Sequence, residues 1–283
     1  MSVDVSGRGA LPPAFLAPGS SSFLDFLARH APGALPGGRP VPRVRDASAL
    51  PHGTTIVAVA YEGGVLLAGD RRVTAGGRIA HRGTRKVFPA DEFSAVAISG
   101  TVGPAVEMVR LLQLELEHYE KVEGVSLSLA GKANRLSAMV RGNFGAAMEG
   151  LAVIPLFAGY DTAAGRGRIF SFDVIGGVSE EHGFAGTGSG SVFALGALKK
   201  LHRPGMDEEA AVTAALQALW DAADEDSATG GPDTARGLYP IVALVTDDGY
   251  REVPEAAVEE WSRAVGAQRA TDPDGPKAAV PFA

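Results

Sequence analysis

The sequence contains no cysteine among its 283 residues, and this absence excludes several kinds of chemistry at once. Disulfide bonds, cysteine-based zinc sites and thiol catalysis are ruled out, so a covalent nucleophile must be a Ser, Thr, Lys or carboxylate side chain. A chain without cysteine also suits a reducing compartment. We therefore expect a cytoplasmic protein.

Basic clusters and long apolar runs are also lacking. With 26 Lys and Arg against 33 Asp and Glu, the net charge of −7 argues against a nucleic-acid partner. No apolar run approaches the ~20 residues that span a bilayer, and the N-terminus lacks a signal-peptide pattern, so we expect no membrane contact. The six histidines show no metal-ligand spacing and no Walker loop is present, so we expect no metal and no cofactor.

The two ends of the chain differ in composition from its middle. Residues 1–53 hold eight of the 18 prolines, which predicts irregular structure over most of their length. Within them, residues 22–29 (SFLDFLAR) have apolar residues at helical spacing behind a Ser cap. Residues 1–53 are either a flexible leader or a removable segment whose one helix docks on the body during folding. Residues 268–283 are small, Pro-containing and aperiodic, which predicts a flexible tail and leaves 54–267 as the main folded domain.

The body starts abruptly at Thr54 with a β-branched, apolar segment. Alternation and turn residues predict strands at 54–61, 65–69, 87–88, 93–99, 152–159, 168–174, 183–185 and 240–246. Helical spacing predicts helices at 104–119, at 127–148 behind a possible Ser126 cap, at 192–201 and at 207–223. This order argues against a doubly wound parallel sheet and favours an α+β fold. Two stacked antiparallel sheets with helices on each outer face would explain strands that are apolar on both sides.

The junction at Thr54 is the first candidate for chemistry. Gly53 lacks a Cβ, so its carbonyl can be approached closely and its backbone can be strained. Attack by the Thr54 hydroxyl on that carbonyl would form an ester, and water would then release residues 1–53. Thr54 would afterwards carry a free α-amine that can act as its own general base. The same dipeptide would also fit the plain start of a strand.

Asp70 and Lys86 are further candidates near strand ends. A carboxylate at the end of a strand caps a turn or pairs with a neighbouring arginine. Lys86 enters an apolar strand, where it either reaches the surface or points inward and needs a carboxylate partner such as Asp70. In the inward arrangement its ammonium would lower the pKa of the Thr54 hydroxyl and help position the proton.

Three turns rich in glycine or hydroxyl groups complete the candidates. Gly100, between a strand and a helix, would either present its N–H to a developing oxyanion or form an ordinary turn. Residues 186–191 (GTGSGS) resemble a dinucleotide loop only weakly, because they lack a βαβ context. Residues 226–231 (DSATGG) join a helix to a loop, where Asp and Thr commonly cap and turn.

Taken together, these residues resemble the β subunits of the 20S proteasome, and most closely the bacterial, actinobacterial-type branch with a long propeptide. The family pattern has a nucleophilic Thr, an Asp sixteen residues later, a Lys thirty-two later and an oxyanion Gly forty-six later. Thr54, Asp70, Lys86 and Gly100 reproduce these distances.

The resemblance covers about residues 54–259 and adds three residues to the catalytic set. These are Ser189, Asp226 and Thr229, the last of which replaces the family's Ser but keeps a hydroxyl. The resemblance also implies the N-terminal-nucleophile hydrolase fold, a four-layer αββα sandwich of two antiparallel sheets. The strand and helix order predicted above agrees with that architecture.

The activity implied is that of a threonine endopeptidase inside a cylinder of four seven-membered rings, α7β7β7α7. α subunits and other β subunits would be its partners, and an ATPase ring would supply unfolded or tagged proteins. At the family's pocket positions the chain carries Val73, Thr84, Phe88, Ile98, Val102 and Val106. This apolar lining, without Asp, Glu or Arg at its base, implies chymotrypsin-like cleavage. Backbone groups of Thr74, Gly100 and Val102 would hold the substrate as an added strand.

Three other interpretations remain open at this point. A two-ring bacterial protease also starts with Thr-Thr, although its chains are shorter and carry little leader. A ring subunit kept only for scaffolding would have no need for Thr54, Asp70 and Lys86 together. An amidase for small molecules could use the same N-terminal-nucleophile chemistry without forming rings.

Overall fold

The computed structural model describes residues 20–35, 38 and 53–276. Its strands are β1 (Thr55–Tyr61), β2 (Gly64–Gly69), β3 (Val73–Ala75), β4 (Arg78–His81), β5 (Val87–Asp91), β6 (Ser94–Gly100), β7 (Val153–Asp161), β8 (Arg166–Phe172), β9 (Val178–Glu181), β10 (Phe184–Gly188), β11 (Ile241–Thr246) and β12 (Gly249–Glu252). Its α-helices are α1 (Phe23–His30), α2 (Val102–Glu123), α3 (Leu129–Gly142), α4 (Phe144–Met148), α5 (Ser191–Leu201), α6 (Glu208–Glu225) and α7 (Glu255–Thr271). A short 3-10 turn, Pro32–Ala34, follows α1.

Two five-stranded antiparallel sheets form the centre of the fold. The first has the strand order β10-β1-β2-β11-β12 and the second β5-β6-β7-β8-β9, while β3 and β4 form a separate hairpin. Apolar residues alternate between the two faces of each central strand. On β1, for example, Ile56 and Ala58 face the second sheet, whereas Val57 and Val59 pack under the helices.

The buried residues accordingly form three apolar layers. One lies between the two sheets, one between the first sheet and α5, α6 and α7, and one between the second sheet and α2 and α3. The predicted α+β, four-layer αββα sandwich is confirmed. No helix within the described ranges combines the length and the apolar character needed to cross a membrane.

Several predicted elements differ from those in the structure. The single helix predicted over 127–148 is two helices, because the chain breaks at Asn143, and its cap is Ser128 rather than Ser126. Strands β3, β4, β9 and β12 and helix α7 were not predicted. Helix α7 ends at Thr271, so the start of the predicted tail at residue 268 lies inside a helix; residues 277–283 lie outside the described residues.

The helix predicted near the N-terminus is present and lies on the body. Ser22 caps α1 by accepting a hydrogen bond from the Asp25 N–H. Apolar residues of α1, together with Leu35, pack on the layer under α2. The backbone N–H of Leu24 donates to the buried Glu115 carboxylate at 2.8 Å. The predictions for residues 1–19, 36–37 and 39–52 fall outside the described residues.

Candidate active site

The candidate residues come from strand ends that meet at one edge of the sandwich. β1 and β2 are antiparallel, so the start of β1 lies beside the end of β2, where Asp70 follows. In the second sheet, the start of β5 after Lys86 and the end of β6 at Gly100 are likewise neighbours. The hairpin topology therefore brings together residues that are far apart in the chain.

Thr54 and Gly53 lie side by side in the interior, with Thr54 only 3% exposed. The Thr54 hydroxyl is 2.5 Å from the Gly53 carbonyl oxygen. Gly53 has a positive φ of 99°, and a Cβ there would lie 2.7 Å from Thr74 Oγ1 and 2.9 Å from the Ala228 Cβ. Glycine is therefore the residue that this position accepts without strain.

Lys86 and Asp70 form a buried ion pair next to this peptide bond. The Lys86 Nζ donates to Asp70 Oδ1 at 2.7 Å, to the Gly53 carbonyl at 3.1 Å and to the Arg72 carbonyl at 2.5 Å. Burial lowers the pKa of Lys86, and the Asp70 charge opposes that shift. The inward arrangement of Lys86 is thus the one present.

Each carboxylate oxygen of Asp70 accepts two hydrogen bonds. Beyond Lys86, its Oδ1 accepts from the Thr55 N–H at 2.8 Å, and its Oδ2 accepts from the backbone N–H groups of Arg72 and Gly230. A carboxylate with four such hydrogen bonds is held in one orientation. It keeps the Lys86 ammonium against the Gly53 carbonyl.

Ser189, Asp226 and Thr229 form a second polar cluster on the other side of Thr54. Asp226 Oδ2 accepts from the Ser189 hydroxyl at 2.5 Å and from the Thr229 hydroxyl at 2.6 Å. Burial alone would raise the pKa of Asp226, but these hydrogen bonds outweigh it and lower the pKa. The Ser189 N–H donates to the Thr54 carbonyl at 2.8 Å, which joins this cluster to the backbone of Thr54.

Gly100 ends β6 beside the same site. Its φ is 101°, and a Cβ would collide with the carbonyl oxygen of Ala152. The left-handed backbone and the close approach both require glycine there.

A small cavity lies against Thr54 and Lys86. Of the predicted pocket residues, Thr84, Ile98 and Val102 line it, together with Arg85 and Ala105. Arg85 is therefore part of the lining, although it was not among the predicted pocket residues. The Arg85 guanidinium, however, donates to the Val87 carbonyl and to the Glu252 carboxylate.

The remaining predicted pocket residues lie elsewhere. Val73 is fully buried in β3, and Thr74 lies against Gly53. Phe88 and Val106 are half-buried and pack on the layer under α2 and α3. Three of the six predicted pocket residues thus line this cavity.

Arg72 and Thr55 also contact the candidate site residues, and neither was predicted from the sequence. Arg72 supplies a carbonyl acceptor for Lys86. Thr55 is fully buried and lies within 2.6 Å, oxygen to oxygen, of Thr229. The only sequence signal for Thr55 was its place beside the proposed nucleophile, where strand alternation sends its side chain away from that of Thr54.

The sandwich with a buried threonine, lysine and aspartate at one edge defines an N-terminal-nucleophile hydrolase. Comparison with known proteins agrees. The model of the proteasome subunit family matches residues 50–235. Proteasome subunit beta of Streptomyces griseus is 58% identical, with 99% of this chain and 100% of that protein covered. Proteasome subunit beta 1 of Streptomyces avermitilis is 54% identical, with 98% and 99% covered.

The chain therefore belongs to the proteasome subunit family, as a β subunit of the actinobacterial type. It is a threonine endopeptidase subunit of the 20S proteasome and assembles with other proteasome subunits. This favours the proteasome interpretation over the two-ring protease, the scaffolding subunit and the small-molecule amidase.

Proposed function

We propose that the Thr54 hydroxyl is the nucleophile twice, first in cleavage of its own Gly53–Thr54 bond and then in peptide hydrolysis. One observation carries this proposal. The Thr54 hydroxyl and the Lys86 ammonium both contact the Gly53 carbonyl oxygen, at 2.5 Å and 3.1 Å. The nucleophile and a positive charge thus lie at the same carbonyl.

Self-cleavage proceeds in two balanced steps. The Thr54 oxygen attacks the Gly53 carbonyl carbon, the C–N bond breaks, and the proton lost by the hydroxyl ends on the released α-amine. This leaves residues 1–53 attached to Thr54 through an ester. Water then hydrolyses the ester, which yields a carboxylate on Gly53 and restores the hydroxyl. Lys86 stabilises the negative charge that develops on the carbonyl oxygen.

The mature enzyme repeats this chemistry on a substrate. The new α-amine of Thr54 accepts the hydroxyl proton. The Lys86 ammonium, positioned by Asp70, stabilises developing negative charge, and the Gly100 N–H donates to the oxyanion. Ser189, Asp226 and Thr229 hold the backbone of Thr54 in place, because the Ser189 N–H donates to the Thr54 carbonyl. Residues 1–53 are the removable propeptide, and the catalytic domain starts at Thr54.

Intact mass and N-terminal sequencing test the proposed self-cleavage. Wild type and Thr54→Ala are each assembled with the partner proteasome subunits. We expect the wild type to lose residues 1–53 and Thr54→Ala to retain them. Loss of the propeptide from both proteins would mean that another protease removes it and that Thr54 is not the nucleophile.

We propose a preference for cleavage after hydrophobic residues, because the cavity beside Thr54 presents Ile98, Val102 and Ala105. The Arg85 charge is compensated by Glu252. Peptides ending in Leu, Phe or Tyr should be cleaved faster than those ending in Arg or Glu, measured as kcat/KM. The reverse order would contradict this preference. Backbone groups of Thr74, Gly100 and Val102 hold the extended substrate.

We further propose that the subunit works in an α7β7β7α7 cylinder in the cytoplasm. There an ATPase ring delivers unfolded or tagged proteins to the site. Family membership supports this arrangement, and the native mass of the subunit co-assembled with α subunits tests it. Absence of a four-ring species would contradict it.

A further inference from the structure

Thr55 lies next to the proposed nucleophile but has no part in the mechanism above. It is fully buried, and its backbone N–H donates to Asp70. Its side-chain oxygen accepts from the Gly190 N–H at 3.1 Å and lies 2.6 Å from the Thr229 hydroxyl. One residue therefore contacts both polar clusters of the site.

The number of protons on each hydroxyl fixes the direction of these hydrogen bonds. A hydroxyl has one proton to donate, and Thr229 donates its proton to Asp226 at 2.6 Å. Thr55 must therefore be the donor in its contact with Thr229. The hydrogen bonds run in one direction, from the Gly190 N–H through the hydroxyls of Thr55 and Thr229 to the Asp226 carboxylate.

This chain of hydrogen bonds is closely packed. A Cβ on Gly190 would lie 2.5 Å from the Thr55 hydroxyl oxygen and 2.7 Å from that of Thr229. Thr55 and Thr229 are both fully buried. Space for a water molecule in place of a missing hydroxyl is therefore lacking, so loss of one hydroxyl leaves its partners unpaired.

We propose that Thr55 is a positioning residue for Thr54, an inference that rests on the proposed role of Thr54 as nucleophile. Its N–H is fixed by Asp70 and its hydroxyl is fixed, through Thr229, by Asp226. The peptide between Thr54 and Thr55 is held from both sides, and the Ser189 N–H holds the Thr54 carbonyl as well. The Thr54 hydroxyl thereby stays directed at the carbonyl it attacks.

The experiment compares Thr55→Val, which keeps the shape and removes the hydroxyl, with Thr55→Ser, which keeps the hydroxyl. Each full-length chain is assembled with its partner subunits. Self-cleavage is followed by intact mass, and kcat and KM of the mature enzyme are measured on a peptide ending in Leu. We expect Thr55→Val to slow self-cleavage and kcat by about 10- to 100-fold with little change in KM. Thr55→Ser should restore both to within about threefold of wild type.

Two further variants show whether Thr55 acts through Thr229. Thr229→Val breaks the same chain one hydroxyl later, so the double variant should be no slower than the slower single variant. Ser262→Ala is the matched control. It removes a buried hydroxyl on α7 that lacks a hydrogen-bond partner within the described part of the chain, and both rates should stay at the wild-type level.

Wild-type rates in Thr55→Val, or losses that multiply in the double variant, would overturn the positioning role. If Thr55→Val does not assemble, Thr229→Val is the test instead. Wild-type rates of self-cleavage and peptide hydrolysis in Thr229→Val would also overturn the positioning role. Thr54→Ala separates this proposal from the one on which it rests. Release of the propeptide from Thr54→Ala would overturn the role of Thr54 itself, whatever Thr55→Val does.

Discussion

The arrangement around Lys86 depends on the size and the three hydrogen-bond donors of its ammonium group. Its ammonium has three N–H donors, and the three acceptors around it are the Gly53 and Arg72 carbonyls and the Asp70 carboxylate. With 2% of the residue exposed, solvent cannot replace a lost partner. The site is therefore built for a compact ammonium rather than for a positive charge in general.

Lys86→Arg should consequently abolish self-cleavage. A planar guanidinium is larger and directs its donors in a fixed fork, which does not match three acceptors converging on one point. We expect the rate to fall at least about 100-fold, as measured by intact mass during assembly. Lys132→Arg is the control, because Lys132 is also buried and paired, with Asp91 at 2.6 Å, but lies outside the site. Equal rates for Lys86→Arg and wild type would show that charge alone suffices.

Gly53→Ala tests the cleavage junction. Alanine is strained at a φ of 99°, and its Cβ would collide with Thr74 and Ala228. The junction must shift and draw the carbonyl away from Thr54 and Lys86, so we expect self-cleavage to slow about tenfold or more. Gly63→Ala is the matched control. Gly63 has a similar φ of 92° in the β1–β2 turn, but a Cβ there would meet nothing within 4 Å. A similar loss in both variants would point to general destabilisation.

The sequence predicted the residues of the site that keep a fixed spacing from Thr54. Asp70 and Lys86 lie at the ends of short strands close in sequence, so their distance from Thr54 along the chain is itself informative. The hydrogen-bond chain through Thr55 could not be predicted in this way. It depends on contacts with Thr229 and Gly190, more than a hundred residues away, and on their exact packing.

At the scale of elements, α1 is a short helix that depends on the body for its stability. It has eight residues, too few to be stable alone in water, and none is fully buried. It is held by its apolar face, by the Leu24 N–H bond to Glu115, and by a ring contact of Phe23 with His118 at 5.7 Å. The sequence predicted this helix because its cap and apolar spacing are local signals.

Ser22→Ala should loosen α1 without affecting the mature enzyme. The variant removes the cap on the Asp25 N–H, which costs about 1 kcal/mol of helix stability. In the Thr54→Ala background, where we expect the propeptide to be retained, hydrogen exchange in α1 should become faster. Mature protein prepared with and without Ser22→Ala should have the same Tm. Unchanged exchange in α1 would show that docking, and not the cap, sets its stability.

Two of the missed elements, β9 and α7, lack a clear apolar pattern. β9 is an edge strand whose residues are all exposed or half-buried, and it is held by polar pairs such as Glu180 with Arg168 at 2.6 Å. α7 buries Val258, Ser262, Val265 and Arg269, a stripe in which half of the residues are polar. Such elements depend on partners that only the folded chain supplies, and a periodicity argument does not detect them.

At the scale of the whole molecule, the two sheets meet at the edge that holds the candidate site. Asp70 directly follows β2 of the first sheet and Lys86 directly precedes β5 of the second, so their ion pair links the ends of the two sheets. The sequence predicted the layers because apolar strands and paired helices alternate in blocks. It did not predict how α7, near the C-terminus, packs on α6, since that contact depends on one buried arginine.

Arg269 links the end of α7 to α6 through hydrogen bonds and an ion pair. A truncation that removes Arg269 would therefore remove a contact of the folded domain. Arg269 is 6% exposed, and its guanidinium donates to Gln217 at 2.7 Å, to Asp221 at 2.5 Å and to the Pro273 carbonyl at 3.1 Å. Burial raises the pKa of Asp221, and the Arg269 charge counteracts that shift. Removing the arginine side chain takes this donor away from the amide oxygen of the buried Gln217 and from the half-buried Asp221 carboxylate.

Deletion of residues 268–283 should therefore destabilise the protein, whereas deletion of 277–283 should not. The longer deletion removes Arg269 and the last turn of α7, and we expect a loss of about 2 kcal/mol in the free energy of unfolding. The shorter one keeps Arg269 together with its partners Gln217, Asp221 and Pro273. Denaturant unfolding of the Thr54→Ala chain measures both, with Arg269→Ala in the full chain as the control that isolates the side chain. Equal stability of the two truncations would place the end of the folded domain at residue 267, where composition alone had put it.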